Sequence, residues 1–281
     1  MQDKYWLLTL EAPVEIKDRL EIFLWEYISC GWEECGNLYK IYFSTQVELD
    51  EFLKKIKKLF PYVTYTKDHI KSGNWADGWK RFFTPVKLNR FIILPSWEQK
   101  DFLTKDDLLP IFIYPEMAFG TGHHETTKLC LKQIERLYQL SEIKVGDTFL
   151  DIGTGSGILG ISLSKLGLTG IGLDIDPLIL TNCKTNIQLN NVNNFSFFIG
   201  TTQAIGNSTQ YNLIIANILL EPLINLKSEI FRLLKKDGFL ICSGILIDQE
   251  TKIISSYTDL FNDPVVILRE GEWSSILWKR S

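Results

Sequence analysis

The sequence predicts an α/β protein whose larger part is an open, doubly wound, mainly parallel sheet, preceded by a small α+β sandwich. Three observations predict it. From about Lys100 onward, short apolar strand patterns alternate with helical ones. At Leu150 to Leu159, LDIGTGSGIL, an apolar strand breaks into three glycines at alternate positions before a helical pattern begins. The first 70 or so residues instead read strand, helix, two strands, helix, strand.

In that opening stretch, Tyr5 to Leu10 reads as a strand and Val14 to Ser29 as an amphipathic helix. Short strands at Trp32 to Glu34 and Leu38 to Phe43 flank a Gly36-Asn37 hairpin turn. Glu48 to Phe60 has helical period and stops at Pro61, and Tyr62 to Thr66 is strand-like. This order is that of a ferredoxin-like domain over residues 1–71. Residues 72–99 carry Trp75, Trp79, Pro85, Pro95 and Trp97, with a strand at Phe91 to Leu94. So aromatic a stretch reads as a packed connector and not a flexible linker.

Residues 100–281 form the larger domain. Strands are expected at Thr148 to Ile152, Gly170 to Ile175, Phe195 to Ile199, Leu213 to Ala216, Phe239 to Ser243, Val265 to Leu268 and Ser274 to Lys279, with helices between most of them. Seven strands so arranged make a Rossmann-like sheet, whose ligands bind beyond the carboxyl ends of the strands.

Composition narrows the class. With 45% hydrophobic and 23% charged residues, the 281-residue chain can bury ample core. A net charge of −4 gives no general surface for nucleic acid. Cys30, Cys35, Cys130, Cys183 and Cys242 are odd in number and never spaced CxxC, so they read as reduced thiols in a cytoplasmic protein. No apolar run has the length of a signal peptide or a membrane span.

The glycine turn carries the chemistry. A nicotinamide fingerprint needs GxGxxG, but Ile158 stands where its third glycine would be, and nothing matches a phosphate-binding GxxxxGK[ST] loop. The pattern is GxGxG, with Gly153, Gly155 and Gly157, and the next strand closes on Asp174, twenty-one residues beyond Gly153. A carboxylate so placed accepts two ribose hydroxyls, while the following helix offers amides to a carboxylate. Together these point to S-adenosyl-L-methionine. Asp176 is better read as a cap for the helix that Pro177 opens. Asn217 ends the buried strand YNLIIAN, where its amide can reach cofactor and substrate or simply satisfy a loop.

Several segments then carry a family resemblance: MAFGTGHHETTKLCL, LDIGTGSGILGISLSKLG, IGLDIDPLILTNCKTNIQLNNV, IIANILLEPL, SGILIDQ and EGEWSSILWKR, with WKRFFTP and PSW upstream. They closely resemble the PrmA family of ribosomal-protein methyltransferases, from about Trp75 to the C-terminus. The resemblance implies methylation of amino groups on protein eleven of the large ribosomal subunit, chiefly as free protein. It also implies an N-terminal recognition domain and cofactor contacts from Thr127, Gly153, Asp174 and Asn217, with Gly155 in the same turn.

Thr126 and Thr127 precede an amphipathic run, so either could instead be a helix N-cap. Gly120 and Gly122 around Phe119 suit a loop that folds over a bound cofactor. The chain departs from the family where Thr-His-Pro becomes His123-His124-Glu125. HHETT is not HExxH and the only other histidine is His69, so no metal is expected. No His or Asp base stands out after Asn217, and the stretch Ile218-Leu219-Leu220 lacks the Asn-Pro-Pro-aromatic signature of amide and base methylation. The acceptor is therefore expected to be an aliphatic amine, positioned by Asn217 and Phe119 without a dedicated base. The protein is expected to act as a monomer, with no nucleic acid or membrane partner.

Overall fold

The computed structural model describes residues 4–13, 16–17, 19–20, 23–24, 32–43, 45–71, 84–99, 102, 108–114, 124–206 and 208–281. It divides into two compact units, Met1–Thr84 and Pro85–Ser281. Sequence reading divides the chain at 71/72 and 99/100. The structure draws one boundary, because residues 86–95 pair into a sheet of the larger unit.

The smaller unit is an antiparallel sheet of β1 (Lys4–Glu11), β2 (Trp32–Cys35), β3 (Leu38–Phe43) and β4 (Thr64–Lys71), in the order β2-β3-β1-β4. This is the ferredoxin-like order. Gly36, at φ 66°, turns β2 into β3. Alternation along the strands puts Leu8, Leu10, Tyr39 and Ile41 on one face, where they are fully buried. They pack with Leu20, Phe23 and Leu24, and with Leu49, Phe52, Leu53 and Ile56 of α1 (Gln46–Leu59). Helix α1 starts two residues before the expected Glu48. Thr45 caps it, accepting from Glu48 N at 3.2 Å while Glu48 accepts from Thr45 N at 3.1 Å. The expected strand at Tyr62 begins instead at Thr64, because Val63 N still bonds Phe60 O. Most of the expected Val14 to Ser29 helix, and Trp75 and Trp79, lie outside the described residues.

The larger unit opens with a three-stranded sheet of which the sequence pattern revealed only the middle strand, expected at Phe91 to Leu94: β5 (Val86–Leu88), β6 (Phe91–Pro95) and β7 (Leu109–Ile113). Its main sheet comprises β8 (Thr148–Ile152), β9 (Thr169–Asp174), β10 (Phe195–Ile199), β11 (Tyr211–Asn217), β12 (Leu234–Leu246), β13 (Val266–Glu270) and β14 (Trp273–Lys279). They run in the order β10-β9-β8-β11-β12-β14-β13, with only β14 antiparallel to its neighbours. The helices are α2 (Glu125–Gln139), α3 (Ile158–Lys165), α4 (Ile179–Leu189), α5 (Leu220–Leu233) and α6 (Glu250–Tyr257).

Two cores flank this sheet. Leu213, Ile215, Ile241 and Leu277 face Leu131 and Ile134 of α2 and Ile161 of α3. Ile214, Ala216, Leu240 and Trp278 face Leu223, Ile230, Ile253 and Tyr257. Burial on both faces explains why these strands read as unbroken apolar runs. The chain order reverses between β8 and β11, and the crevice at their carboxyl ends is where ligands bind in such sheets.

Candidate active site

The turn after β8 is built from backbone that only glycine adopts readily. Gly153, Gly155 and Gly157 have φ of 73°, 51° and 81°. Gly153 N and Thr154 N both donate to Leu173 O, at 2.9 and 3.0 Å, pinning the turn to the end of β9. A Cβ on Gly153 would lie 2.4 Å from Ile218 Cγ2, so the absence of a side chain there is also a packing requirement.

Asp174 closes β9 beside this turn and does more than its spacing predicts. One carboxylate oxygen accepts from Gly155 N at 3.0 Å and the other from Asp176 N at 3.0 Å. Each oxygen keeps a lone pair, so the group can hold the turn and still receive two hydroxyls. Asp176 accepts from Leu178 N at 2.9 Å, in a turn just ahead of α4. The rim here is apolar and uncovered: Ile175 is 75% and Leu178 83% exposed.

Asp151 belongs to the same cluster, and sequence reading passed over it. It is 1% exposed, within a strand otherwise apolar. Thr154 Oγ1 donates to its Oδ2 at 2.8 Å, while Oδ1 is buried without a partner. Burial pushes its carboxyl from 3.8 up to about 6; the Asp174 charge adds to the rise, and the Thr154 hydroxyl and a backbone bond oppose it. An acid in the body of a buried strand is the signal that would have found it.

Asn217 ends β11, next to β8 in the sheet, and its Oδ1 is likewise buried and unpartnered. Thr127 lies fully buried in the first turn of α2, and its Oγ1 has no partner either. Neither threonine caps that helix. The cap is His124, whose Nδ1 accepts from Thr126 N at 3.3 Å and lies 2.8 Å from Thr126 Oγ1. The start of α2 is held against the sheet by Ser243 Oγ, which donates to Thr126 O at 3.2 Å. Phe119, Gly120, Gly122 and His123 lie outside the described residues.

Beside Asn217 opens a cavity of about 370 Å³. Ile218, Leu219, Pro222 and Trp273 wall it with hydrocarbon, and His124, Thr126 and Gly244 complete it. The His124 and Trp273 rings meet edge to face, centroids 5.1 Å apart. Gly244 has φ 82°, and a Cβ there would lie 2.6 Å from Ile218 O. Ile218 is thus wedged between Gly153 on the crevice side and Gly244 on the cavity side. Trp273 and Gly244 were not legible as site residues, since neither lies near the glycine turn in sequence. Among the described residues no three His, Cys, Asp or Glu side chains cluster as metal ligands. His69 lies in the other unit, edge to face with Trp6.

The three buried, unpartnered oxygens of Asp151, Thr127 and Asn217 surround a turn of bare backbone beside a free-edged carboxylate. A buried polar atom without a partner is unfavourable unless a ligand completes it. This donor and acceptor set fits a molecule with an ammonium, a carboxylate and ribose hydroxyls. The fold and the site define an S-adenosylmethionine-dependent methyltransferase.

The comparisons with known proteins agree. The family model "Ribosomal protein L11 methyltransferase (PrmA)" matches residues 15–281, and the chain belongs to that family. A ribosomal protein L11 methyltransferase of Bacillus pumilus is 31% identical over 97% of this chain and 91% of its own. One of Dictyoglomus thermophilum is 33% identical over 91% and 85%. The crystal structure of a ribosomal protein L11 methylase from Lactobacillus delbrueckii subsp. bulgaricus superposes with a TM-score of 0.63 at 31% identity, covering 71% of this chain and all of that one.

Proposed function

We propose that this methyltransferase modifies aliphatic amines, lysine side chains and/or the N-terminal amino group, of ribosomal protein L11. The observation that carries the acceptor class is the apolar cavity that Asn217 and Ile218 line, with Ile218 also packed against Gly153 of the glycine turn. The relatives named for that substrate supply the partner. The cofactor supplies an electrophilic methyl group on a sulfonium.

The chain's own residues do the rest. Asp174 would hold the ribose and the glycine turn the methionine end, with Asp151 facing its ammonium; Thr127 and Asn217 complete the crevice. The acceptor must arrive as a neutral amine, whereas a lysine in water, with a pKa of about 10.4, is protonated. Ile218, Leu219, Pro222 and Trp273 strip water from it, which disfavours the charged form and lowers that pKa. Asn217 is placed to orient the amine. Alignment of nucleophile, methyl and leaving group contributes roughly 7–11 kcal/mol. The first unit recognises the ribosomal protein, free of the ribosome. The enzyme works as a cytoplasmic monomer; none of its described helices is long and apolar enough to cross a membrane.

The test is intact-mass analysis of purified L11 after incubation with enzyme and cofactor, alongside other ribosomal proteins. Methyl increments on L11 alone are expected. Methylation of a different protein with L11 untouched would overturn the substrate, and the enzyme lacking residues 1–84 should bind cofactor yet leave L11 unmodified.

A further inference from the structure

Helix α4 carries Asn182 and Asn186 and is capped at its C-terminus by Asn190, at four-residue spacing, one buried stripe of amides 2%, 0% and 6% exposed. Buried amides are tolerated only when bonded, and these three serve the free edge of β7. Asn190 brackets Phe112, accepting from its N at 2.9 Å and donating to its O at 2.6 Å. Asn182 donates to Tyr114 O at 3.0 Å. Phe112 and Tyr114, the residue just past the strand, lie two apart, so the stripe acts as a substitute neighbouring strand.

Asn186 differs from its neighbours. Its Oδ1 accepts from Tyr114 N at 2.7 Å, and its Nδ2 donates to Ser156 O at 2.8 Å and to Asn182 Oδ1 at 3.1 Å. Only this orientation of the amide satisfies all three partners. Ser156 is in the glycine turn. From Tyr114 the chain runs on to His124 and Thr126, on the cavity wall. One planar group thus joins the glycine turn at Ser156 O to the backbone at Tyr114 N.

We propose that Asn186 is a positioning residue for methyl transfer, holding the cofactor turn and the Tyr114 end of β7 in register. It rests on the reading of the crevice as the cofactor site. Asn190 offers a matched control: it makes as many bonds on the same helix face, and none to the turn.

The experiment compares Asn186→Ala with Asn190→Ala in the full-length enzyme, measuring melting temperature, cofactor affinity by calorimetry, and kcat on L11. Asn186→Ala should weaken cofactor binding and lower kcat by about tenfold each, the scale of coupling carried by a single network residue. Asn190→Ala should melt at a similar temperature with both values within about twofold of wild type. Equal functional losses at equal stability would reduce Asn186 to a structural role and overturn the proposal.

Should Asn186→Ala fail to fold, amide exchange in the wild type decides. S-adenosylhomocysteine should slow exchange at Tyr114 more than at Phe112, and equal slowing would overturn the coupling. A wild type that binds no cofactor at all would overturn the crevice assignment, and this proposal with it.

Discussion

The glycine turn and the apolar cavity both meet Ile218, yet they are made from different material. Most of the crevice is contiguous: the glycine turn, β9 and its closing acid all fall between Asp151 and Asp176 with largely backbone contacts, and Thr127 and Asn217 are brought in from α2 and β11. The cavity gathers side chains from His124, the Asn217 to Pro222 stretch, Gly244 and Trp273, and its lining is hydrocarbon. In the function proposed above, the first grips the cofactor and the second removes water from the acceptor amine. Variants on the two sides should therefore fail differently: in affinity for the cofactor on one side, in turnover on the other.

The largest effect is expected at Asp174. Alanine there removes the acceptor for Gly155 N and Asp176 N, together with the carboxylate proposed to receive the ribose hydroxyls. Two charge-assisted bonds of about 2 kcal/mol each predict a loss of about a thousandfold in cofactor affinity, with the fold intact by circular dichroism. Gly153→Arg should abolish binding too, since even a Cβ meets Ile218. Calorimetry giving wild-type affinity for a folded Asp174→Ala would break the comparison at its stronger end.

Asp151 comes next, and its sign runs opposite to that of a surface acid. An acid whose folded pKa is raised binds protons better when folded, so its charge opposes folding once it ionises. The cost is absent below about pH 4, grows between the ordinary 3.8 and about 6, and is complete above that. Two units correspond to about 3 kcal/mol. Asp151→Asn should therefore stabilise the ligand-free protein at pH 7 and not at pH 4, while weakening cofactor binding. Denaturant titrations at both pH values check it, and a gain of equal size at pH 4 would show that the carboxylate charge is not the cause.

The same contrast explains what was legible in the sequence. The crevice could be read because tight turns restrict residue type locally: positive φ demands glycine, and a strand pair fixes the interval from Gly153 to Asp174. All seven strands of the main sheet could be read from apolar runs. Of the sheet of β5, β6 and β7 only β6 could, as Phe91 to Leu94, because β5 has three residues and the end of β7 finds part of its pairing in Asn186 and Asn190. Trp273 and Gly244 reach the cavity through strand register alone. His124 displaced the threonines as cap because its Nδ1 can reach Thr126 N from two positions earlier. None of these carries a local sequence signature.

A smaller effect is expected at Trp273. Alanine there enlarges and wets the cavity without touching the glycine turn. We expect kcat/KM on L11 to fall by about tenfold, the scale of one lost aromatic contact with its burial, with cofactor affinity unchanged. An equal loss of cofactor affinity would show that cavity and crevice do not fail separately.

The smallest effect, and the one that divides the two regions most finely, is at His124. Its Nδ1 accepts from Thr126 N, so in the neutral ring the proton sits on Nε2, and the group that caps α2 also presents its ring edge to Trp273. Alanine loses both roles, and the cap alone is worth about 1 kcal/mol. Asparagine restores a good cap without the ring. If His124 matters only as the start of α2, Asn should recover the melting temperature and the turnover together. If its ring is a working wall of the acceptor cavity, Asn should recover the melting temperature and leave kcat several-fold low, because the geometry that brings water-free hydrocarbon against the amine depends on the edge-to-face pair with Trp273 and not on the helix it begins.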